Sequence, residues 1–495
     1  MGVQHLLWLV VVAPTVCTPP SGKDFQESTA ARQSDATLEA AAWKPCSTTA
    51  TLLTDIHPGP MGSAPGELVH VDGALYFTAD DGAHGRELWR SSGTGRPGTL
   101  LVKDILPGVA TSAPRGLTAV GNTLFFTADD GVHGRELWVS DGSAAGTQMV
   151  KDIWPGPVDS GPDQLLAFGG AVYFAANDGV HGNELWRSDG TSAGTVLVED
   201  LYPGDDVFDP GRPGSSNPRR LTRAGEAFYF VANVGSSVRL WRSVGVPGAT
   251  SFFAAPEDNF LFSLTAVGSS LFFLVDNDEG EASLWRTKAA PAERLRFFHG
   301  LYPHDLTALG KRLLFSAGGS RSGLPGEALG EELWASDGTA GGTARVKDIW
   351  PGEESSAPGA FAVLGERLVF AADDGVHGRE LWKSDGTAAG TSLLRELALG
   401  AAGSSPQELK ALSGTLFFSA ETPGRGREPW VSDGTAAGTV PLTEIAPGPS
   451  SSEPHGFVRS GWNVFFTATD AAHGQELWAL PFRPEEQCPK AFWEQ

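Results

Sequence analysis

The chain has 495 residues, room for several ordinary domains or for one long repeat array. It is 41% hydrophobic and 19% charged, which excludes a disordered polymer, and its 63 Gly and 34 Pro demand frequent turns, which favours many short strands over long helices. A net charge of −23 repels phosphate backbones and excludes nucleic acid as a partner, while it suits a soluble extracellular protein or one that collects divalent cations.

The first 17 residues, MGVQHLLWLVVVAPTVC, hold an apolar run at 6–12 that is too short to span a bilayer and reads as the core of an export signal. Its flanks are unusual, with His5 in place of Lys or Arg and Val16 before Cys17. Cys17 is therefore either removed with the signal or kept as a lipid attachment point. Residues 18–46, rich in Ala, Ser and Thr, read as a flexible linker. No other stretch is long and apolar enough to be a transmembrane helix. Beyond Cys17 the chain has two cysteines, Cys46 and Cys488, one at each end of the remaining sequence.

Residues 47–490 are dominated by self-similarity. A tryptophan closes the same short motif at Trp89, Trp138, Trp186, Trp241, Trp285, Trp334, Trp382, Trp430 and Trp478, with most intervals 48 or 49 residues. Alternation and turn residues divide each unit into four strands. In the second unit these fall at 116–120, 123–128, 135–140 and 148–153, with Phe125 and Phe126 on opposite faces. Gly121-Asn122 and Asp141-Gly142 supply the tight turns. Four antiparallel strands per unit of about 48 residues is the size of a propeller blade. The expected fold is all-β, a β-propeller of about nine four-stranded repeats. Two smaller arrays, divided near 209–218, are the rival.

The units resemble the bacterial ELWxxDGT-repeat proteins. Glu136-Leu137-Trp138, Glu184-Leu185-Trp186 and Glu380-Leu381-Trp382 carry the first half of that signature, and Asp189-Gly190-Thr191, Asp337-Gly338-Thr339, Asp385-Gly386-Thr387 and Asp433-Gly434-Thr435 carry the second. The units ending at Trp241 and Trp285 depart from it, with Arg239 and Ser283 where Glu is expected. The resemblance implies a secreted, propeller-like repeat architecture and no established activity.

The ends suggest ring closure. The repeats begin with a lone fourth strand at 51–56 and end with a third strand at 476–480, so the first segment is placed to complete the last blade and remove two exposed edges. Cys46 and Cys488 flank that joint. A disulfide between them is expected to lock it, and so long a loop adds roughly 4–5 kcal/mol in the chain-entropy model.

Candidate sites gather on one ring face. The loop between strands two and three places Asp80, Asp81 and His84 in one unit, and Asp129, Asp130 and His133, His181, Asp373, Asp374 and His377, and His473 in others. The acidic pairs are candidate Ca²⁺ ligands, although the spacing of a dedicated calcium loop is absent. A structural reading has the Asp capping the turn and the His reaching a neighbouring blade. The linkers between blades, of the form Asp-Ile-x-Pro-Gly followed by Ser before Pro, share this face. So does an insertion at 205–218 with Asp205, Asp206 and Asp209. The repeated Glu is expected to pair across strands or with Arg86, Arg135 or Arg379, and the repeated Trp to pack between blades. Motifs of nucleophilic, metallopeptidase, phosphate-binding and dinucleotide-binding sites are missing. No catalytic residue is assigned and no cofactor is expected beyond possible Ca²⁺. The expected function is a non-enzymatic extracellular or cell-surface binding or scaffold protein, facing the outside or the periplasm, with an extracellular protein or glycan as partner. The alternatives are a propeller-type hydrolase or lyase acting on polysaccharide or peptide, and a calcium-dependent adhesin.

Overall fold

Period-two alternation broken by Gly-rich turns yields short strands throughout, and in the computed structural model, which describes residues 43–95, 98–253, 260–276, 281–287, 291–319 and 330–488, a single 3-10 turn at Glu485–Gln487 is the one helical element among them. The strands form nine antiparallel sheets arranged as a nine-bladed β-propeller. The second blade comprises Arg115–Val120, Thr123–Asp129, Arg135–Ser140 and Gln148–Lys151, within one or two residues of the sequence expectation. Each innermost strand contacts those of both neighbouring blades, including Gly66–Val71 of the first blade with His455–Ser460 of the last. The array is one closed ring and not two. The divergent units contribute its fourth and fifth blades, built on Arg219–Ala224 and Phe260–Val267.

The core lies between blades. Nine clusters of buried side chains each draw on two adjacent blades, one cluster per junction. Alternation explains the division of labour. Phe126 packs toward the first blade with Tyr76, Leu88 and Trp138, and Phe125 packs toward the third with Phe174 and Trp186. Fully burying one such ring is worth about 1.5–3 kcal/mol. A sheet with two apolar faces cannot stand alone in water, so the units stabilise one another by stacking. Seven of the repeated tryptophans are buried; Trp241 and Trp285, in the divergent blades, are half-buried.

The last blade is completed from the other end of the chain. Thr51 and Leu52 pair with Ala479 and Trp478, the register that a fourth strand holds elsewhere, as where Leu197 pairs with Trp186. The final third strand is longer than expected, running Gly474–Pro484, and its extension pairs with a second N-terminal strand, Trp43–Pro45. Those three residues were expected to belong to the flexible linker. Trp43 is instead stacked on Trp462 and packed with Phe482. A disulfide joins Cys46 to Cys488 across 442 residues of sequence, with Cα atoms 5.2 Å apart. The expected export segment with Cys17, and the rest of the linker, lie outside the described residues.

In eight of the nine blades the innermost strand opens with a β-bulge whose second residue has positive φ, and in the fifth, Phe260–Val267, the bulge and its positive-φ residue Ser263 lie further in. Gly116 and Gly456 occupy two of these positions; the others are Glu67, Gln164, Arg220, Ser263, Asp305, Ala360 and Glu408. A bulge bends the strand and raises its twist, which suits the tight turn around the propeller axis.

Candidate functional site

The repeated Glu is the most buried charged group of each regular blade, and its partners differ from the expectation. It meets no arginine. Glu87 accepts hydrogen bonds from Ser112 Oγ (2.6 Å), Ser112 N (3.0 Å) and Ile105 N (3.2 Å), all in the linker to the next blade. Glu136, Glu184, Glu332, Glu380 and Glu428 repeat the arrangement with Ser160, Ser216, Ser356, Ser404 and Ser452. Desolvation outweighs these bonds and raises the pKa of every one of these carboxyls, to about 7 for Glu136 and Glu184. Arg86 and Arg135 instead donate to the carbonyls of Ala64 and Ala113, at 2.8 and 2.9 Å, and Arg379 donates to that of Ala357.

The signal for this clamp was in the sequence as a coincidence of losses. Glu and Ser sit 24 or 25 residues apart in most regular units. The two units lacking the Glu also lack a Ser-x-Pro in the linker that follows. A second junction contact was missed altogether. Lys103, in a fourth strand, donates to the carbonyl of Thr147 in the next blade (2.8 Å) and sits over the Trp138 ring. Lys151 and Lys347 repeat both contacts with Thr195 and Trp186, and with Thr391 and Trp382.

The candidate Asp and His residues lie together, within each loop. Asp80 Oδ1 accepts from Gly82 N (2.8 Å), and Asp81 Oδ1 from the backbone of Ala83 and His84. His84 Nδ1 lies 2.8 Å from Asp81 Oδ2, so the imidazole serves its own loop and not a neighbouring blade. The pattern recurs at Asp129, Asp130 and His133, at Asp178 and His181, at Asp373, Asp374 and His377, and at Asp470 and His473. The carboxylate raises the pKa of each of these histidines. Among the described residues no three His, Cys, Asp or Glu side chains are grouped to hold a metal ion.

Linkers and loops do share one face. They interlock so closely that a Cβ on Gly85 would lie 2.3 Å from Ala110 O, and one on Gly378 2.5 Å from Gly403 N. The insertion stands on the same face as an ordered excursion. Asp206 N donates to Arg212 O, Gly214 N to Gly204 O (each 2.8 Å) and Val207 N to Tyr202 Oη (3.0 Å). Its acidic residues do different work: Asp206 caps Phe208 N, Asp209 pairs with Arg212, and Asp205 bridges to Pro213 through the backbone. Most of the large exposed apolar side chains are here as well. Val109 and Leu399 are 82% and 84% exposed on linkers, Phe208 is 78% exposed at the excursion tip, and Val132, Val180 and Val376 project from the loops. The opposite face carries the Asp-Gly-Thr turns, closed by their own hydrogen bonds, as where Thr191 Oγ1 donates to Asp189 Oδ1 and accepts from Gly194 N.

Together these features define the protein's class as a nine-bladed β-propeller, velcro-closed and disulfide-locked, with one face of short turns and one face of interlocked loops. No family model and no curated protein matches the chain. Some solved structures are distantly similar to it. One is a prolyl endopeptidase, at 12% identity and TM-score 0.40 over 72% of this chain and 54% of that one. Another is the propeller domain of the trilobed protease of Pyrococcus furiosus, at 11% and 0.38 over 77% and 98%. A third is a puromycin-hydrolyzing peptidase of Mycobacterium tuberculosis, at 11% and 0.39 over 86% and 62%. The chain thus spans little more than half the length of the prolyl endopeptidase. No helix among the described residues is long and apolar enough to cross a membrane.

Proposed function

We propose that the protein is a non-enzymatic extracellular binding or scaffold propeller of the ELWxxDGT-repeat kind, which engages its partner through the face of linkers and loops. The observation that carries this reading is the contrast between two sets of residues. The repeated polar groups are spent on holding blades and turns together, whereas most of the large exposed apolar side chains stand on that one face. Exposed apolar groups rimmed by polar ones mark interaction surfaces. A rigid ring lowers the ordering cost of binding, and similar loops on successive blades suit a multivalent contact. The disulfide accords with export to an oxidising compartment.

The test is to screen the purified full chain against extracellular protein extracts and glycan arrays, alongside chromogenic peptide and glycoside substrates. Retention of a ligand without turnover, abolished by substitutions at Phe208 and Val132, supports the binding reading. Turnover supports the alternative of a propeller hydrolase, the activity class of the distantly similar peptidases.

A further inference from the structure

Over most of its circumference the linker face is rich in carboxylates. Between residue 348 and the closure, and on through residue 218, its linkers and loops hold Asp104, Asp130, Asp159, Asp206, Glu353, Asp374 and their repeats. The Lys and Arg residues within those same linkers and loops are two, Arg212 and Arg425. Both are already matched by carboxylates, Asp209 at 3.0 Å and Glu444 at 3.6 Å.

We propose that this face docks a basic amphipathic polypeptide, one presenting Lys or Arg beside aliphatic or aromatic side chains. The proposal rests on the binding reading above and names the partner's chemistry. Charge complementarity selects the occupant. A second copy of the ring would bring two acidic faces together, which like-charge repulsion opposes. A purely polar cation would leave Val109, Val132, Val180, Leu399 and Phe208 in water. A cationic peptide with apolar residues answers both features at once. Phe208 is the natural anchor. It is aromatic, it stands at the tip of an excursion already ordered by its own hydrogen bonds, and Asp205, Asp206 and Asp209 surround it in sequence. Carboxylates on neighbouring loops steer the encounter, and the apolar contacts set the residence time.

The experiment uses the full chain and three synthetic peptides of equal length: an amphipathic Lys/Leu peptide, a Lys/Ser peptide of the same charge, and a Glu/Leu peptide. Calorimetry is expected to show the Lys/Leu peptide binding at least about ten-fold tighter than the Lys/Ser peptide, with affinity falling as salt is raised and no binding of the Glu/Leu peptide. Combining Phe208→Ser, Val109→Ser, Val132→Ser and Val180→Ser is expected to weaken Lys/Leu binding about ten-fold or more. Circular dichroism and melting temperature stay unchanged because these side chains are exposed, and Val246→Ser on the opposite face leaves binding as it was. Equal affinity for the Lys/Leu and Lys/Ser peptides, insensitivity to the four substitutions, self-association of the ring, or binding of Ca²⁺ alone at this face would each overturn the proposal. If no peptide binds but another ligand is retained at this face, the partner chemistry fails and the binding reading stands. If substrate is turned over, the binding reading itself fails.

Discussion

Glu476 of the last blade accepts hydrogen bonds from Ser63 in the linker before the first, with Ser63 Oγ at 2.6 Å and Ser63 N at 3.0 Å, across 413 residues of sequence. The seam of the ring therefore uses the same clamp as the regular junctions, reinforced by the disulfide and by the strand of Thr51 and Leu52.

Reduction of Cys46–Cys488, or its replacement by Cys46→Ser with Cys488→Ser, is expected to lower stability by about 2–5 kcal/mol. The strand pairing persists without the bond, so the ring should still close. Chemical denaturation with and without reductant measures the difference, and unchanged stability in the double variant would show that the seam needs no covalent lock.

Removing a clamp leaves buried donors without partners. Glu136→Ala strands Ile153 N, Ser160 N and Ser160 Oγ, and an unsatisfied buried donor costs about 1–3 kcal/mol. A loss of about 2–4 kcal/mol is expected from urea unfolding. An exposed control, Val109→Ser, should fall within about 0.5 kcal/mol of the parent.

The clamps also give stability a pH dependence. A carboxyl with a folded pKa of about 7, raised from 4.5, binds more protons in the folded than in the unfolded chain between those values. Its contribution is fully present below the unfolded value of 4.5 and is lost as pH rises through the folded pKa. Melting temperature is expected to fall between about pH 5 and pH 8, and Glu136→Gln with Glu184→Gln should flatten that slope. A slope unchanged in the double variant would assign the dependence to other groups.

The loop histidines shift in the same direction for another reason. His133 gains an Asp130 hydrogen bond, which holds its pKa above 6.5. NMR titration of the ring protons should show the raised value and its return toward 6.5 in Asp130→Asn, with the fold intact.

Lys103→Met tests the junction contact that sequence inspection passed over. It keeps the apolar stem but removes the bond to Thr147 O and the cation over Trp138, for an expected loss of about 1–2 kcal/mol by thermal unfolding.

The architecture was legible because the repeat supplies many observations of one pattern. Strand edges around Phe125 and Phe126, the ring closure at Thr51 and the Cys46–Cys488 pair followed from alternation, count and spacing. Side-chain partnerships were harder to read. Glu136 stands next to Arg135 in sequence, yet alternation along a strand sends neighbouring side chains to opposite faces, and the true partner lies in the following linker. Trp43–Pro45 was hidden because three residues are too few to show a period. The apolar character of the linker face emerged only when exposure separated Val109 and Phe208 from the valines and phenylalanines of the core.

A left-handed residue lies near the start of each innermost strand. Side chains as different as those of Glu67, Arg220, Ser263 and Ala360 hold this backbone shape equally. Where the side chain is long enough it also reaches across the junction, as Glu67 accepts from Leu117 N and Gln164 from Arg220 N of the following blade, so one backbone shape serves both to bend the strand and to tie neighbouring blades near the axis.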